Sequence, residues 1–289
     1  SSDLTLIAGF TYWLISPLGP FTVTTLSFRV IVTPADMGWS SDSIDLDDWM
    51  KIYCEARYGG YPDAMEEAWK LFRKTAYSSL YSYPRFTWQT VISDQRRISK
   101  IDLSDDYLQA IRLYASCADE LKSSELYRND LIEFVSYYVA AKAENFYKQA
   151  LKDDSENRVL AAQRNLQQTV DLLMDVDRLL ASHPLYRLEE WVELARNSGT
   201  TLQEKDAYEA NAKRLITSWG GIQEDYAARF WSGLIKDYYI PRIQLYFTKD
   251  RNKIREWEEQ WITSPWSNST TPFDDPVKAA LSLIEKTNK

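Results

Sequence analysis

The sequence predicts an all-α protein, an irregular bundle of about 8–10 helices preceded by a short non-helical or strand-like N-terminal segment. Three observations predict it. From Ser43 onward, apolar residues recur at helical spacing. Helix start and stop signals punctuate that stretch throughout. No period of about 34 or 40 residues repeats, which disfavours a regular solenoid. The chain has 289 residues, 45% apolar and 14% aromatic, enough to bury a core without staples and too apolar for disorder. Its eleven Trp and nineteen Tyr ask for a core of large planar fillers, or a surface that packs on something else.

Residues 1–36 stand apart as a remnant or linker. Within them, Phe21 to Val32 alternates β-branched and aromatic residues and reads as one or two strands. A lone strand pair is marginal in water, and nothing downstream supplies a partner sheet. The stretch Leu4 to Val32 is apolar but broken by Gly9, Pro17, Gly19, Pro20 and Arg29. It lacks the basic start of a signal peptide, and Ser1 in place of Met marks a processed chain or a piece of a longer one.

Residues 37–289 form the helical domain. The first helix covers 46–58, with Asp45 as N-cap and Gly59-Gly60 as its stop. Pro62 and Asp63 open the second, where Met65, Trp69, Phe72 and Ala76 make one apolar stripe. Ser104 starts another, with Leu108, Ile111, Ala115 and Ala118 on one face. A long helix from about Ser124 to Leu151 and a partner from about Glu156 to Leu180 form a helical hairpin across a short turn. His183-Pro184 breaks the chain before a helix from Leu185 to Asn197. Thr201 and Glu204 then have capping-box spacing, opening a helix that runs to Trp219. Asp225 to Phe247 reads as one helix, apolar around most of its circumference, with Gly233 permitting close approach and Pro241 forcing a kink or an end. Helices at Asn252–Ile262 and Val277–Lys286 complete the bundle.

Composition excludes several functions. The formal charge is −8 and no Lys/Arg run could neutralise a phosphate backbone, so nucleic acid is not an expected partner. No run of eighteen apolar residues is uninterrupted, so no membrane span is expected. Cys54 and Cys117 read as buried thiols rather than a disulfide. The only histidine, His183, reads as a loop or cap residue. No phosphate-binding Gly loop, nucleophile elbow, zinc motif or EF-hand occurs, so neither metal nor cofactor is implied. The acidic pairs Asp47-Asp48, Asp105-Asp106, Asp153-Asp154 and Asp274-Asp275 sit at or just outside helix starts, where they complement the helix dipole.

Two stretches carry more polarity than a core needs. YEANAKRLITSWGG, from Tyr208 to Gly221, sets Arg214 and Trp219 at a helix end before a glycine turn. DYAARFWSGLIKDYYIPRIQLYF, from Asp225 to Phe247, adds tyrosines and charges, Tyr238 and Arg242 among them, to a greasy segment. Buried hydroxyls and charges need partners, so these residues suit a core, an interdomain contact or the rim of a polar pocket.

Together these stretches resemble the C-terminal helical domain of the α-N-acetylglucosaminidases, glycoside hydrolase family 89. LLMDVDRLLASHPLYRLEEWVELAR and DMGWSSDSIDLDDWMKIYCEARYGG extend the resemblance, in order and spacing, over about Asp36 to Phe247. The resemblance implies removal of terminal α-linked N-acetylglucosamine, from heparan sulfate in the lysosomal members. It also implies a retaining mechanism with two carboxylates about 5–5.5 Å apart. These would sit on a preceding (β/α)8 barrel that this domain packs on and helps to close. The family's nucleophilic Glu falls shortly before the helical domain, yet residues 1–42 contain no Glu. No catalytic residue is therefore assigned to this chain, and no activity is expected of it alone. Arg214, Trp219, Tyr238 and Arg242 are the candidate substrate-binding or barrel-contacting residues. The implied partners are the barrel and an N-acetylglucosamine-containing glycan, in a lysosomal or secreted setting. Asn268-Ser269-Thr270 is an N-glycosylation sequon that fits that route. The competing reading is an independent helical protein-interaction module.

Overall fold

The structure, a computed structural model, describes residues 45–75, 86–90, 104–219, 225, 228–248, 250–267 and 269–287. The strand-like run at 21–32 and the whole 1–36 segment lie outside them. Eleven α-helices and no strands occur among the described residues, as an all-α reading requires. In chain order the first eight are α1 (Leu46–Tyr58), α2 (Asp63–Lys74), α3 (Asp105–Ser116), α4 (Ala118–Leu121), α5 (Glu125–Ser155), α6 (Val159–Leu180), α7 (Leu188–Asn197) and α8 (Leu202–Leu215). A π-helical turn, Ile235–Tyr239, leads into α9 (Ile240–Tyr246), followed by α10 (Arg251–Thr263) and α11 (Pro276–Lys286).

Capping chemistry sets most of these boundaries. The Asp45 carboxylate accepts from the N–H groups of Asp47 and Asp48, and Gly59 closes α1 with a φ of 85°. Ser104 and Ser124 cap α3 and α5. Thr201 and Glu204 form the expected reciprocal box at the start of α8. Among the described residues the α5–α6 hairpin carries the most extensive helix–helix interface. Its turn is a Schellman motif built on Asn157 (φ 59°), with Arg158 N–H donating to the Asp153 carbonyl at 2.8 Å. That motif lets α5 run to Ser155, one turn past the expected end, so Asp153 and Asp154 lie in the last turn of α5 rather than before α6. There Asp153 is bound by Arg158 and Asn165 instead of meeting a helix N-terminus.

The apolar stripes face one core. Met65, Trp69, Phe72, Ile111, Tyr127, Leu131, Phe134, Tyr138, Leu173, Val176 and Leu180 are all buried. Both cysteines are free and buried. His183 caps locally: its Nδ1 accepts from Leu185 N–H at 3.1 Å, and its ring meets Tyr186 edge to face.

The expected helix from Asp225 is corrected. Helix begins only at Leu234. Gly233 has a φ of 86°, and a Cβ there would lie 3.0 Å from Leu188 and 3.2 Å from Trp266. Ser232 is drawn into backbone pairing instead, donating to the Tyr186 carbonyl and accepting from Leu188 N–H. The same pairing delays α7 to Leu188 rather than Leu185. Before Pro241 the helix widens, with Ile240 N–H bonding the Ile235 carbonyl five residues back. The wider turn accommodates the missing proline donor, so the helix continues to Tyr246. Likewise α8 stops at Leu215, and Trp219 lies beyond it in a left-handed conformation (φ 55°).

Candidate functional site

The polar candidates converge on the connection between α8 and the π-helical turn, residues 216–234. At its centre is Arg242, carried by α9 and only 1% exposed. Its guanidinium grips Asp225 with a fork, Nη1 to Oδ1 at 2.8 Å and Nη2 to Oδ2 at 2.9 Å. Nη1 also donates to the Gln89 carbonyl at 2.9 Å. Nε faces Glu258 Oε1 of α10 at 2.6 Å, and the Tyr238 hydroxyl donates to that same oxygen at 2.8 Å. The Tyr238 ring lies 5.2 Å from the guanidinium carbon.

Burial opposes the charge on Arg242, but Tyr238, Asp225 and Glu258 outweigh it and hold the guanidinium firmly protonated. Burial pushes the Tyr238 phenol well above its usual range; Arg242 opposes that, and Glu258 and Asp225 reinforce it. Tyr238 therefore keeps its proton and acts as a hydrogen-bond donor. Asp225 and Glu258 serve as counter-ions. The cluster is a knot that ties Asp225, the 86–90 segment and α10 to α9.

Trp219 and Arg214 bracket the same connection. Trp219 N–H donates to the Arg214 carbonyl at 2.9 Å, and the half-buried indole begins the connection. The Arg214 side chain makes a bidentate pair with Glu259 of α10 at 2.7 and 2.9 Å. Further along, the Arg229 carbonyl accepts from the Tyr239 hydroxyl at 2.8 Å. The structure thus places all four candidates around one connection. Arg242 binds it at Asp225, Tyr238 supports Arg242 through Glu258, and Arg214 and Trp219 lie at its α8 end. The sequon residue Asn268 lies outside the described residues.

Two other polar centres escaped the sequence reading. Asp177, buried on α6, accepts from Gly233 N–H at 2.8 Å, Lys236 N–H at 3.1 Å, the Ser232 hydroxyl at 3.3 Å and the Thr270 hydroxyl at 2.5 Å. It is the N-cap of the π/α9 helix, supplied from another helix. Burial raises its pKa, against the pull of those donors. The second centre is Glu209 on α8, buried between Arg196 (2.6 Å) and Lys213 (3.1 Å) while accepting Trp266 N–H at 2.5 Å. A lone Asp on the Leu173–Val176–Leu180 face was the one available signal for Asp177. Glu209 did not stand out, because an acidic residue four positions before a lysine on a helix ordinarily forms a solvated pair, and its burial comes from Arg196 of α7 and Trp266 of a loop.

Beside Glu209 lies an open cleft of 530 Å³. Val192, Glu193, Arg196 and Asn197 of α7 form one wall, and Trp266, Ser267 and Ser269 line the other. Among the described residues no group of three or more His, Cys, Asp or Glu is placed to hold a metal ion, and no helix is long and apolar enough to cross a membrane.

The fold and its ionic knots define a helical domain whose buried polar groups hold loops in place. Comparison with known proteins gives the family. Residues 49–286 match the family described as the α-N-acetylglucosaminidase (NAGLU) C-terminal domain, and the chain belongs to that family. It is 29% identical over 229 residues to the human α-N-acetylglucosaminidase, covering 73% of this chain and 30% of that protein. Among solved structures it resembles a family 89 glycoside hydrolase from Clostridium perfringens in complex with PUGNAc, with a TM-score of 0.78 and 22% identity. That match covers 91% of this chain and 33% of the other. Another structure from the same organism, in complex with its substrate GlcNAc-alpha-1,4-galactose, gives a TM-score of 0.77 at 22% identity, covering 90% of this chain and 33% of that one. The chain thus spans about a third of the length of the relatives it matches.

Proposed function

We propose that this chain is the helical part of an α-N-acetylglucosaminidase-like hydrolase, packing on a (β/α)8 catalytic barrel and helping to close its sugar pocket. The observation that carries the reading is the match of residues 49–286 to a domain family, set against about one third of each relative's length. The connection between α8 and the π-helical turn is the element that meets barrel or sugar. Trp219 supplies its half-buried edge, and Arg214, Tyr238 and Arg242 set its path. The substrate class is a glycan ending in α-linked N-acetylglucosamine, heparan sulfate among them, in a lysosomal or secreted setting.

The test compares two preparations against a chromogenic α-N-acetylglucosaminide. The 289-residue chain alone should give no turnover, and a longer product joining this sequence to a barrel should hydrolyse the substrate. Clear turnover by the chain alone overturns the reading. An inactive barrel-bearing product favours the interaction module instead. In the active form, Trp219→Ala should lower kcat/KM by about tenfold, roughly 1.4 kcal/mol, without unfolding the domain.

A further inference from the structure

Asp177 is fully buried, and among the described residues no cation forms an ion pair with it. Its four donors are neutral groups, divided between its two oxygens. Oδ1 accepts the Gly233 and Lys236 N–H groups, and Oδ2 accepts the Ser232 and Thr270 hydroxyls. A buried carboxylate without a counter-ion keeps much of its desolvation penalty, and a proton relieves it. A second carboxylate lies close by. Asp237, on the turn that Asp177 caps, has a side chain 13% exposed and accepts the Trp266 indole N–H at 3.1 Å. One ammonium serves both acids: Lys236 Nζ stands 3.9 Å from Asp237 Oδ1 and attracts Asp177 as well. Two buried carboxylates therefore share one partly exposed cation. The other charges on the elements packed here are engaged elsewhere. Glu209 is held by Arg196 and Lys213, Arg187 pairs with Glu189 and Glu190, Asp175 pairs with Lys286, and Arg178 lies over the Phe273 ring.

We propose that Asp177 and Asp237 form a proton-dependent latch, in which one proton taken up by the pair tightens its hold on Trp266, Thr270 and the Ser232–Gly233 end of the connection. The split of donors gives the proton a place. On Asp177 Oδ2 it is donated to the Thr270 or Ser232 hydroxyl, which turns from donor to acceptor. Oδ1 still accepts both amides, so the cap on the π-helical turn survives. The excess negative charge is gone, and Lys236 is left to Asp237. Burial raises the Asp177 pKa against its donors and Lys236. Burial also raises that of Asp237, with Lys236 and Trp266 opposing and Asp177 adding to the rise. The folded chain thus keeps a proton that the unfolded chain, with carboxyls near about 4, has released. The pair's contribution to stability is largest in acid. It falls as the pH rises from about 4 through the raised values, then levels off.

Thermal unfolding of the full chain and of Asp177→Asn, followed from pH 5 to pH 8, provides the test. Asn stands in for the protonated acid: its oxygen accepts the two amides, and its N–H groups donate to the hydroxyls. The Tm of the variant should rise relative to the unsubstituted chain by about 3 °C across that range. His183 is present in both proteins, so its titration cancels in the difference. Asp237→Asn, which keeps an acceptor for Trp266, should give a smaller shift of the same sign. A Tm difference that does not change with pH makes Asp177 a cap and nothing more, and overturns the proposal; so does one that moves the other way. Should Asp177→Asn not fold, the Trp266 indole N–H resonance of the unsubstituted chain decides. It should move with pH between 5 and 8 and be still in Asp237→Asn; a resonance that is still in both overturns the latch. Neither readout needs a barrel or turnover, so the latch fails independently of the hydrolase reading.

Discussion

Arg57 and Arg242 are both gripped by a carboxylate fork, yet they do different work. Arg57 on α1 binds Asp130 of α5 at 2.7 and 2.8 Å, is 16% exposed, and shares that carboxylate with the Tyr58 hydroxyl at 2.6 Å. It clamps helices that rings already join: Trp69, Phe72, Tyr114, Tyr127 and Phe134 meet in edge-to-face and stacked pairs around Tyr58. Arg242 lies deeper and joins three separate pieces by charge and hydrogen bonds: Asp225 in a left-handed turn, the Gln89 carbonyl and Glu258. In the first region the ion pair is added to a hydrophobic core. In the second the guanidinium lies inside the core itself, between two carboxylates and among the rings of Tyr238, Trp257 and Trp261.

The sharpest test of that contrast is truncation of each arginine. Arg242→Ala leaves Asp225 and Glu258 buried without a cation and should cost about 3–5 kcal/mol in denaturant unfolding. Arg57→Ala should cost roughly 1–3 kcal/mol, because Asp130 keeps the Tyr58 hydroxyl and the truncated, partly exposed Arg57 site admits water. Equal losses would break the comparison. The apolar region has its own benchmark. Leu173→Ala, in the α5–α6 interface, should cost about 3 kcal/mol through a cavity and should be insensitive to pH.

His183 is buried within the field of Arg57, and acid should expose it. Burial, with Arg57 adding to it, depresses its pKa to about 4 from 6.5. The unfolded chain therefore takes up a proton between those values and the folded chain does not. Stability should be unaffected above pH 6.5 and fall by about 2–3 kcal/mol as the pH drops to 4. His183→Asn, whose carbonyl can still accept from Leu185 N–H, should remove that component. The check is the difference between the two proteins' thermal unfolding at pH 7 and pH 4.5. An unchanged pH dependence would place the acid sensitivity elsewhere.

The same contrast explains what could be read in advance. The stripes of α2, α5 and α6 and the caps at Asp45, Ser104, Ser124 and Thr201 depend on residues within a few positions of one another, so periodicity and spacing reveal them. The start of the helix at Leu234 was not visible. It depends on Ser232 pairing with Tyr186 and Leu188 and on an N-cap from Asp177, more than fifty residues away. Arg242 and Tyr238 stood out because charge and hydroxyl in an apolar run require partners. Glu258 did not, since an acidic residue on an amphipathic helix is ordinarily solvated. Burial, which no local pattern encodes, changed its role.

The smallest expected effect tests burial most directly, because Glu258 and Glu259 are consecutive residues on α10. Glu258 turns inward to Arg242 and Tyr238; Glu259 turns outward to Arg214, with the two side chains of that outer pair 35% and 56% exposed. The outer pair has good bidentate geometry, and it lowers the pKa of Glu259. Water and salt nevertheless screen it, so Arg214→Ala should cost less than about 1 kcal/mol, and less still at high salt. Glu258→Gln should cost more, and added salt should not reduce the loss. If Glu259→Gln and Glu258→Gln are equally destabilising under both conditions, burial is not what separates the inner knot from the surface pair. Arg214 would then anchor the α8 end of the connection as firmly as Arg242 anchors its middle.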